Sequence, residues 1–225
     1  YIIKNQMIKK LFNIEKFDLL VSIYIFCIAI SELMGAKTFP LFKVFGLQLN
    51  SSVSVFVVPL IFTMNDMITE VYGKERTRSV IRSGLIVIFL IMVTSLLFTL
   101  LPPSKRFAPY ENAFDIIFNK SARIAFASLT AFALAEFLDV YVFYKIRQAF
   151  GKKALWFRTN ASNFVSQFLD TVIFMTLAFY ALDKPFSDNF VFLTSLIIPW
   201  WLIKSSMSVI ETPFVYIGVK WLKKK

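Results

Sequence analysis

The most informative residues of this sequence are ionisable side chains that lie inside long apolar stretches. Asp66 and Glu70 are four residues apart, so a helix would place both on one face. Charged groups are costly in hydrocarbon and commonly mark the path of an ion or a substrate. We therefore predict a proton or ion pathway formed by Asp66, Glu70, Asp139 and Glu211. Glu70 is close enough to a basic loop that it could also serve only to anchor its helix.

A second set of polar residues draws a stripe through one apolar stretch. Asn160, Asn163, Gln167 and Asp170 recur at intervals of three or four residues, which predicts one polar helix face. At about 1.5 Å of rise per residue, Asp170 and Lys204 both fall near the membrane midplane, and we predict that they form an ion pair. Stripes of this kind also hold helices together. The predicted substrate-binding residues are Asp170, Gln167, Asn163, Lys204, Asn160, Glu136 and Trp200.

Two further charged residues are predicted to lie near the outer face of the membrane. Glu32 and Arg123 are each at the outer end of an apolar stretch, and we predict that they pair as an outer gate. The residues that build most enzyme and metal sites are scarce, because the sequence has no histidine and a single cysteine, Cys27. We therefore expect no catalytic residue, no metal site and no cofactor, and carboxylates would have to carry any protons.

The elements that position these residues are predicted to be membrane-spanning helices. Hydrophobic residues make up 57% of the 225 residues, and they are gathered in runs of about the 20 residues that cross a bilayer as a helix. A shorter stretch at 39–49 predicts an interfacial hairpin or a re-entrant segment. We predict an all-α integral membrane protein, with one domain over residues 1–225 and six spans at about 17–34, 53–72, 80–101, 122–144, 160–182 and 190–219.

The positive charge of the chain predicts its orientation. The net charge is +11, but Lys and Arg cluster at the ends of apolar runs, so we interpret the charge as a topology signal and expect no nucleic-acid partner. The rich segments are the N-terminal arm, the connections near 74–82 and 145–158, and the C-terminal tail. All four fall on one side of the membrane if there are six spans, whereas an odd number of spans would break this pattern. We therefore predict a multi-pass protein of the bacterial inner membrane with both termini in the cytoplasm.

Several short motifs resemble the queuosine precursor transporter family. They cover most of the chain from about Pro59 onward, and they are specific as a set rather than singly. These motifs are PLIF at 59–62 with Asp66, TEVYG at 69–73, RIA at 123–125, FLDVYVF at 137–143, LW at 155–156, SQ at 166–167, DT at 170–171, Lys204, and TP at 212–213.

The resemblance implies import of a 7-deazaguanine, either 7-cyano- or 7-aminomethyl-7-deazaguanine or queuine, for tRNA modification. It also implies a fold similar to the substrate-binding components of energy-coupling-factor transporters. Glu136 departs from the family pattern, where glutamine is expected. Two alternatives stay open: a substrate-binding subunit that needs separate ATPase subunits, and a membrane enzyme or scaffold. The sequence leaves open the driving force, the preferred precursor and whether the chain forms a homodimer.

Overall fold

A computed structural model describes residues 14–150 and 155–224, with the backbone only at 136–140, 142–147, 149–150, 155–163 and 208–209. Within these ranges the chain forms seven α-helices and one β-hairpin. The elements are α1 (Lys16–Met34), β1 (Thr38–Val44), β2 (Leu47–Ser52), α2 (Val58–Tyr72), α3 (Lys74–Phe98), α4 (Glu111–Phe150), α5 (Leu155–Phe179), α6 (Phe186–Ile210) and α7 (Thr212–Lys223).

The described helices identify the protein as an integral membrane protein, as predicted. Four segments of the described chain are long and apolar enough to cross a bilayer. Their outer surfaces carry many exposed Phe, Leu and Ile side chains, which is expected where lipid rather than water surrounds a helix. These four segments are Lys16–Met34, Val53–Tyr72, Lys74–Phe98 and Phe186–Met207.

Of the two alternatives predicted for residues 39–49, a hairpin or a re-entrant segment, the structure contains a β-hairpin between α1 and α2. Its two strands are antiparallel, and Phe45 and Gly46 occupy the turn with positive φ angles of 47° and 82°. A two-residue turn with both φ angles positive matches the twist of a hairpin. The hairpin is fixed to α6 by a hydrogen bond of 2.8 Å, which Asn50 Nδ2 donates to Ser195 Oγ. The hairpin therefore covers one end of the helix bundle.

The segment predicted as the sixth span is divided in the structure. Helix α6 ends at Ile210, and α7 begins at Thr212 with Pro213 in its first turn. Proline lacks an N–H and disfavours a helical conformation at the residue before it, which explains a break at this point. Helix α7 then packs against α2. As a result, Glu211 lies at a helix junction instead of on a continuous helix face.

Small residues let the helices around the centre approach closely. Helix α1 packs against α2, α3 and α4, and Ala125 and Ala127 of α4 are fully buried. On α3, a Cβ atom at Gly84 would lie 2.6 Å from Ile28 Cδ1 of α1, which is too close for two carbons. Ser121 of α4 also donates a hydrogen bond of 2.8 Å to the carbonyl of Leu33. These contacts fix α1 as one wall of a central cavity.

Candidate functional site

A cavity of about 360 Å³ lies among helices α1 to α6. This volume falls within the range of small-molecule sites, which are largely apolar with a few polar groups that fix orientation. The apolar lining includes Ile28, Phe62, Phe132, Phe174 and Trp200. The polar and charged lining consists of Tyr24, Ser31, Glu32, Ser52, Ser54, Asn65, Ser128, Asp170 and Lys204.

The predicted ion pair between Asp170 and Lys204 is confirmed. Lys204 Nζ of α6 lies 2.6 Å from Asp170 Oδ2 of α5, and both side chains face the cavity. The exposed fractions of the two side chains are 18% for Lys204 and 23% for Asp170. Each group therefore keeps hydrogen-bonding capacity for a ligand, because a carboxylate accepts up to about four hydrogen bonds and an ammonium donates three.

Of the other predicted binding residues, only some are seen to line the cavity. Trp200 lines the cavity one helical turn before Lys204 and is 6% exposed. Gln167 joins two helices, since Ser205 of α6 donates to its Oε1 at 3.4 Å. The side chains of Glu136, Asn160 and Asn163 lie outside the described residues. The structure therefore brings Asp170, Lys204 and Trp200 together in one cavity.

The predicted ion pair between Glu32 and Arg123 is wrong. Arg123 Nε and Nη2 donate to the carbonyl oxygens of Leu177 and Tyr180 at 2.8 and 2.6 Å. Those carbonyls lie at the C-terminal end of α5, where the last turn of a helix leaves acceptors without a partner. Glu32 instead faces the cavity, is 6% exposed, and accepts a hydrogen bond of 3.2 Å from the Ser128 hydroxyl.

Two of the predicted pathway residues meet away from the cavity lining. The carboxyl groups of Asp66 on α2 and Glu211 at the α6–α7 junction lie within hydrogen-bonding reach of each other, and Thr63 lies beside Glu211. Glu211 is 8% exposed, and its Oε2 has no hydrogen-bond partner among the described residues. Glu70 is exposed and lies 3.9 Å from Lys223 Nζ of α7. The side chain of Asp139 lies outside the described residues.

Sequence reasoning did not select Asn65 or Tyr24, although both line the cavity. The two side chains lie beside each other, and Asn65 Oδ1 is buried without a partner among the described residues. A buried acceptor of this kind is uncommon in a folded protein. The available signal was the position of Asn65, three residues after Phe62 and therefore on the same face of α2.

The cavity can therefore hold a flat, polar small molecule. Its aromatic residues can cover the faces of a planar ring. Asp170 and Lys204 present an acceptor next to a donor, whereas Glu32 and Asn65 present acceptors on α1 and α2. This arrangement is suited to a heterocycle that carries hydrogen-bonding groups on more than one edge.

Comparison with known proteins agrees with a transport role. A family model described as "Putative vitamin uptake transporter" matches residues 52–218. A Bacillus subtilis (strain 168) protein named "Probable queuosine precursor transporter" is 30% identical over 201 residues, which is 88% of this chain and 82% of that protein. No solved structure gives a significant match.

Two shorter matches carry similar names. A Haemophilus influenzae protein named "Probable queuosine precursor transporter" is 30% identical over 139 residues, 61% of this chain and 55% of its own. The Escherichia coli (strain K12) "Queuosine precursor transporter" is 31% identical over 128 residues, 56% of this chain and 53% of its own. The family that the sequence motifs indicate is therefore confirmed. The chain belongs to the vitamin uptake transporter family, a family of membrane transporters and not of enzymes.

Proposed function

We propose that this protein imports a queuosine precursor of the 7-deazaguanine class across the bacterial inner membrane, for use in tRNA modification. The observation that carries the proposal is the Asp170–Lys204 pair on the wall of a cavity of about 360 Å³. The names of the three relatives support the substrate class.

The chemistry of a guanine-like edge is complementary to this ion pair. The edge carries a ring N–H and an amino group as donors, next to a carbonyl acceptor. Asp170 accepts from both donors in a charge-assisted, bidentate arrangement, and Lys204 donates to the carbonyl. Trp200 and the cavity phenylalanines cover the ring faces. Asn160, Asn163, Gln167 and Glu136 belong to this binding region in the proposal, as the polar stripe of α5 and its neighbour on α4.

The proposed topology places helices α1 to α6 across the bilayer, with both termini in the cytoplasm. The basic segments at the two ends of the chain and around 74–82 and 145–158 support this orientation. The arrangement proposed is a single domain similar to the substrate-binding components of energy-coupling-factor transporters.

The proposed driving force is a proton gradient. Asp66 and Glu211 bring two carboxyl groups together, and such a pair takes up a proton more readily than a lone exposed acid because both groups cannot ionise cheaply at close range. Asp139 and Glu70 extend the proposed proton path. Co-purification of ATPase subunits would instead support the alternative of a substrate-binding subunit driven by ATP.

Uptake of labelled 7-deazaguanines by cells unable to make them tests the proposal. Cells that express the wild type should accumulate label, and Asp170→Asn should lower the initial rate about tenfold or more, because the amide presents one acceptor where the carboxylate presents two. Asp183→Asn is the matched control, since Asp183 is exposed in the connection before α6. Wild-type cells that accumulate no 7-deazaguanine would refute the proposed function.

A further inference from the structure

Glu32 is a buried carboxylate of the cavity that lacks a counter-charge. Its described partner is the Ser128 hydroxyl at 3.2 Å, and no Lys or Arg of the described chain forms an ion pair with it. A buried carboxylate without a cation is costly unless it is paired or takes up a proton. The cavity wall formed by α1 and α4 therefore has room beside Glu32 for a positive group that none of the described residues supplies there.

Asn65 adds a second acceptor to the same cavity. Its Oδ1 is buried with no partner among the described residues. Ser128 already donates to Glu32. Glu32 and Asn65 Oδ1 are both acceptors, so a ligand group that brings several donors is complementary to this part of the cavity. An ammonium group meets that requirement, since it has three donors and a positive charge.

The two charged regions of the cavity select different parts of a ligand. Asp170 with Lys204 offers an acceptor next to a donor, which suits the neutral guanine-like edge. Glu32 and Asn65 offer acceptors, which suit a cationic substituent. We propose, on the basis of the proposed function, that Glu32 and Asn65 bind the ammonium of the 7-aminomethyl group and make the protein selective for that precursor over the 7-cyano compound.

The rejection of the nitrile follows from the same geometry. A nitrile nitrogen is an acceptor, so in this position it would face the acceptor oxygens of Glu32 and Asn65 without a donor between them. Buried polar groups left unmatched in this way lose affinity. A Glu32 that kept a proton would donate to the nitrile instead, and the selectivity would then disappear or reverse.

Competition binding to the purified wild type tests the selectivity without any variant. The probes are 7-aminomethyl- and 7-cyano-7-deazaguanine, each competing with the same labelled ligand. We expect the 7-aminomethyl compound to bind about tenfold more tightly or better, the size expected of one charge-assisted hydrogen bond. Equal binding, or tighter binding of the 7-cyano compound, would overturn the inference and leave the proposed function intact. Binding of neither compound would refute the proposed function itself.

Substitution at Glu32 assigns the selectivity to this residue. Glu32→Gln should abolish the preference by weakening the 7-aminomethyl compound, and because the new amide offers an N–H donor, the 7-cyano compound should bind as well as before or more tightly. Glu32→Asp keeps the charge and should retain part of the preference, which a purely structural role would not explain. Glu75→Gln is the control, because Glu75 is exposed and pairs with Arg78 on α3. If Glu32→Gln weakens both compounds equally, or neither, the assignment is wrong.

Discussion

The protein contains two acidic sites that differ in how their charge is balanced. At Asp170 a lysine lies 2.6 Å away and both groups face the cavity. At Glu211 the neighbouring ionisable group is another acid, Asp66, and no cation is paired with either one in the part of the chain that the structure describes. A balanced pair can recognise a neutral ligand without gaining or losing a proton, whereas two acids together favour the uptake of one. This difference suits the Asp170–Lys204 site to ligand binding and the Asp66–Glu211 site to proton coupling.

Removal of Lys204 should have the largest effect, because it leaves the negative charge of Asp170 without its counter-charge. Lys204→Met leaves Asp170 as an unpaired, partly buried carboxylate, and breaking a buried pair in this way costs about 3 kcal/mol. We expect a lower unfolding temperature in detergent and a loss of uptake of about a hundredfold. The double variant Asp170→Asn with Lys204→Met should regain most of the stability but none of the uptake.

The control for this series is Lys184→Met, since Lys184 is an exposed lysine in the connection between α5 and α6. It should leave both the unfolding temperature and uptake unchanged. If the double variant is no more stable than Lys204→Met alone, the pair does not balance the site as described.

Glu211→Gln, at the second site, should not destabilise the protein as Lys204→Met does. It removes one of two neighbouring acids, so the unfolding temperature should stay the same or rise, while transport changes in its response to pH. In proteoliposomes with the wild type, an acidic exterior should speed inward transport. With Glu211→Gln or Asp66→Asn the rate should no longer depend on the gradient.

The same proteoliposomes provide the control for coupling. Glu75→Gln removes an exposed acid of α3 and should keep the wild-type response. If wild-type uptake does not change with the imposed pH gradient, the two acids do not couple transport to protons. The two sites would then differ only in their charge balance.

The sequence was sufficient to predict one of these contacts and insufficient for others. Depth along consecutive helices placed Asp170 and Lys204 together, because rise per residue is fixed. Depth alone misplaced Glu32 and Arg123, since it says nothing about direction around the helix axis. Arg123 and Ser128 are five residues apart, so their side chains point about 140° apart around α4, and only Ser128 faces Glu32.

The membrane-spanning helices were also predictable from the sequence. The break between α6 and α7 was not predicted. Apolar runs of span length were evident from composition, and the short segment between the first two was predicted as a hairpin or a re-entrant segment. The Pro213 in the first turn of α7 was present in the sequence, but a proline alone does not say whether a helix kinks or ends. The contact between Asp66 and Glu211 depends on that break together with the packing of α7 on α2, which is a long-range property of the fold.

The smallest expected effect concerns the hydroxyl beside the second site. Thr63 Oγ1 donates to the carbonyl of Pro59 at 3.0 Å, and the side chain lies beside Glu211. Thr63→Val keeps the shape and removes the hydroxyl, so we expect a stability change of about 1 kcal/mol or less and a two- to threefold weaker response to the pH gradient.

Thr94→Val is the matched control, since Thr94 on α3 donates to its own helix at Leu90 with a bond of 2.7 Å and is exposed. Both variants lose a hydrogen bond within a helix, but only Thr63 lies beside a buried acid. A change in gradient response for Thr63→Val alone would show that the hydroxyl acts on Glu211. Equal behaviour of the two variants would restrict Thr63 to a local role in α2 and confine the coupling site to the two carboxyl groups.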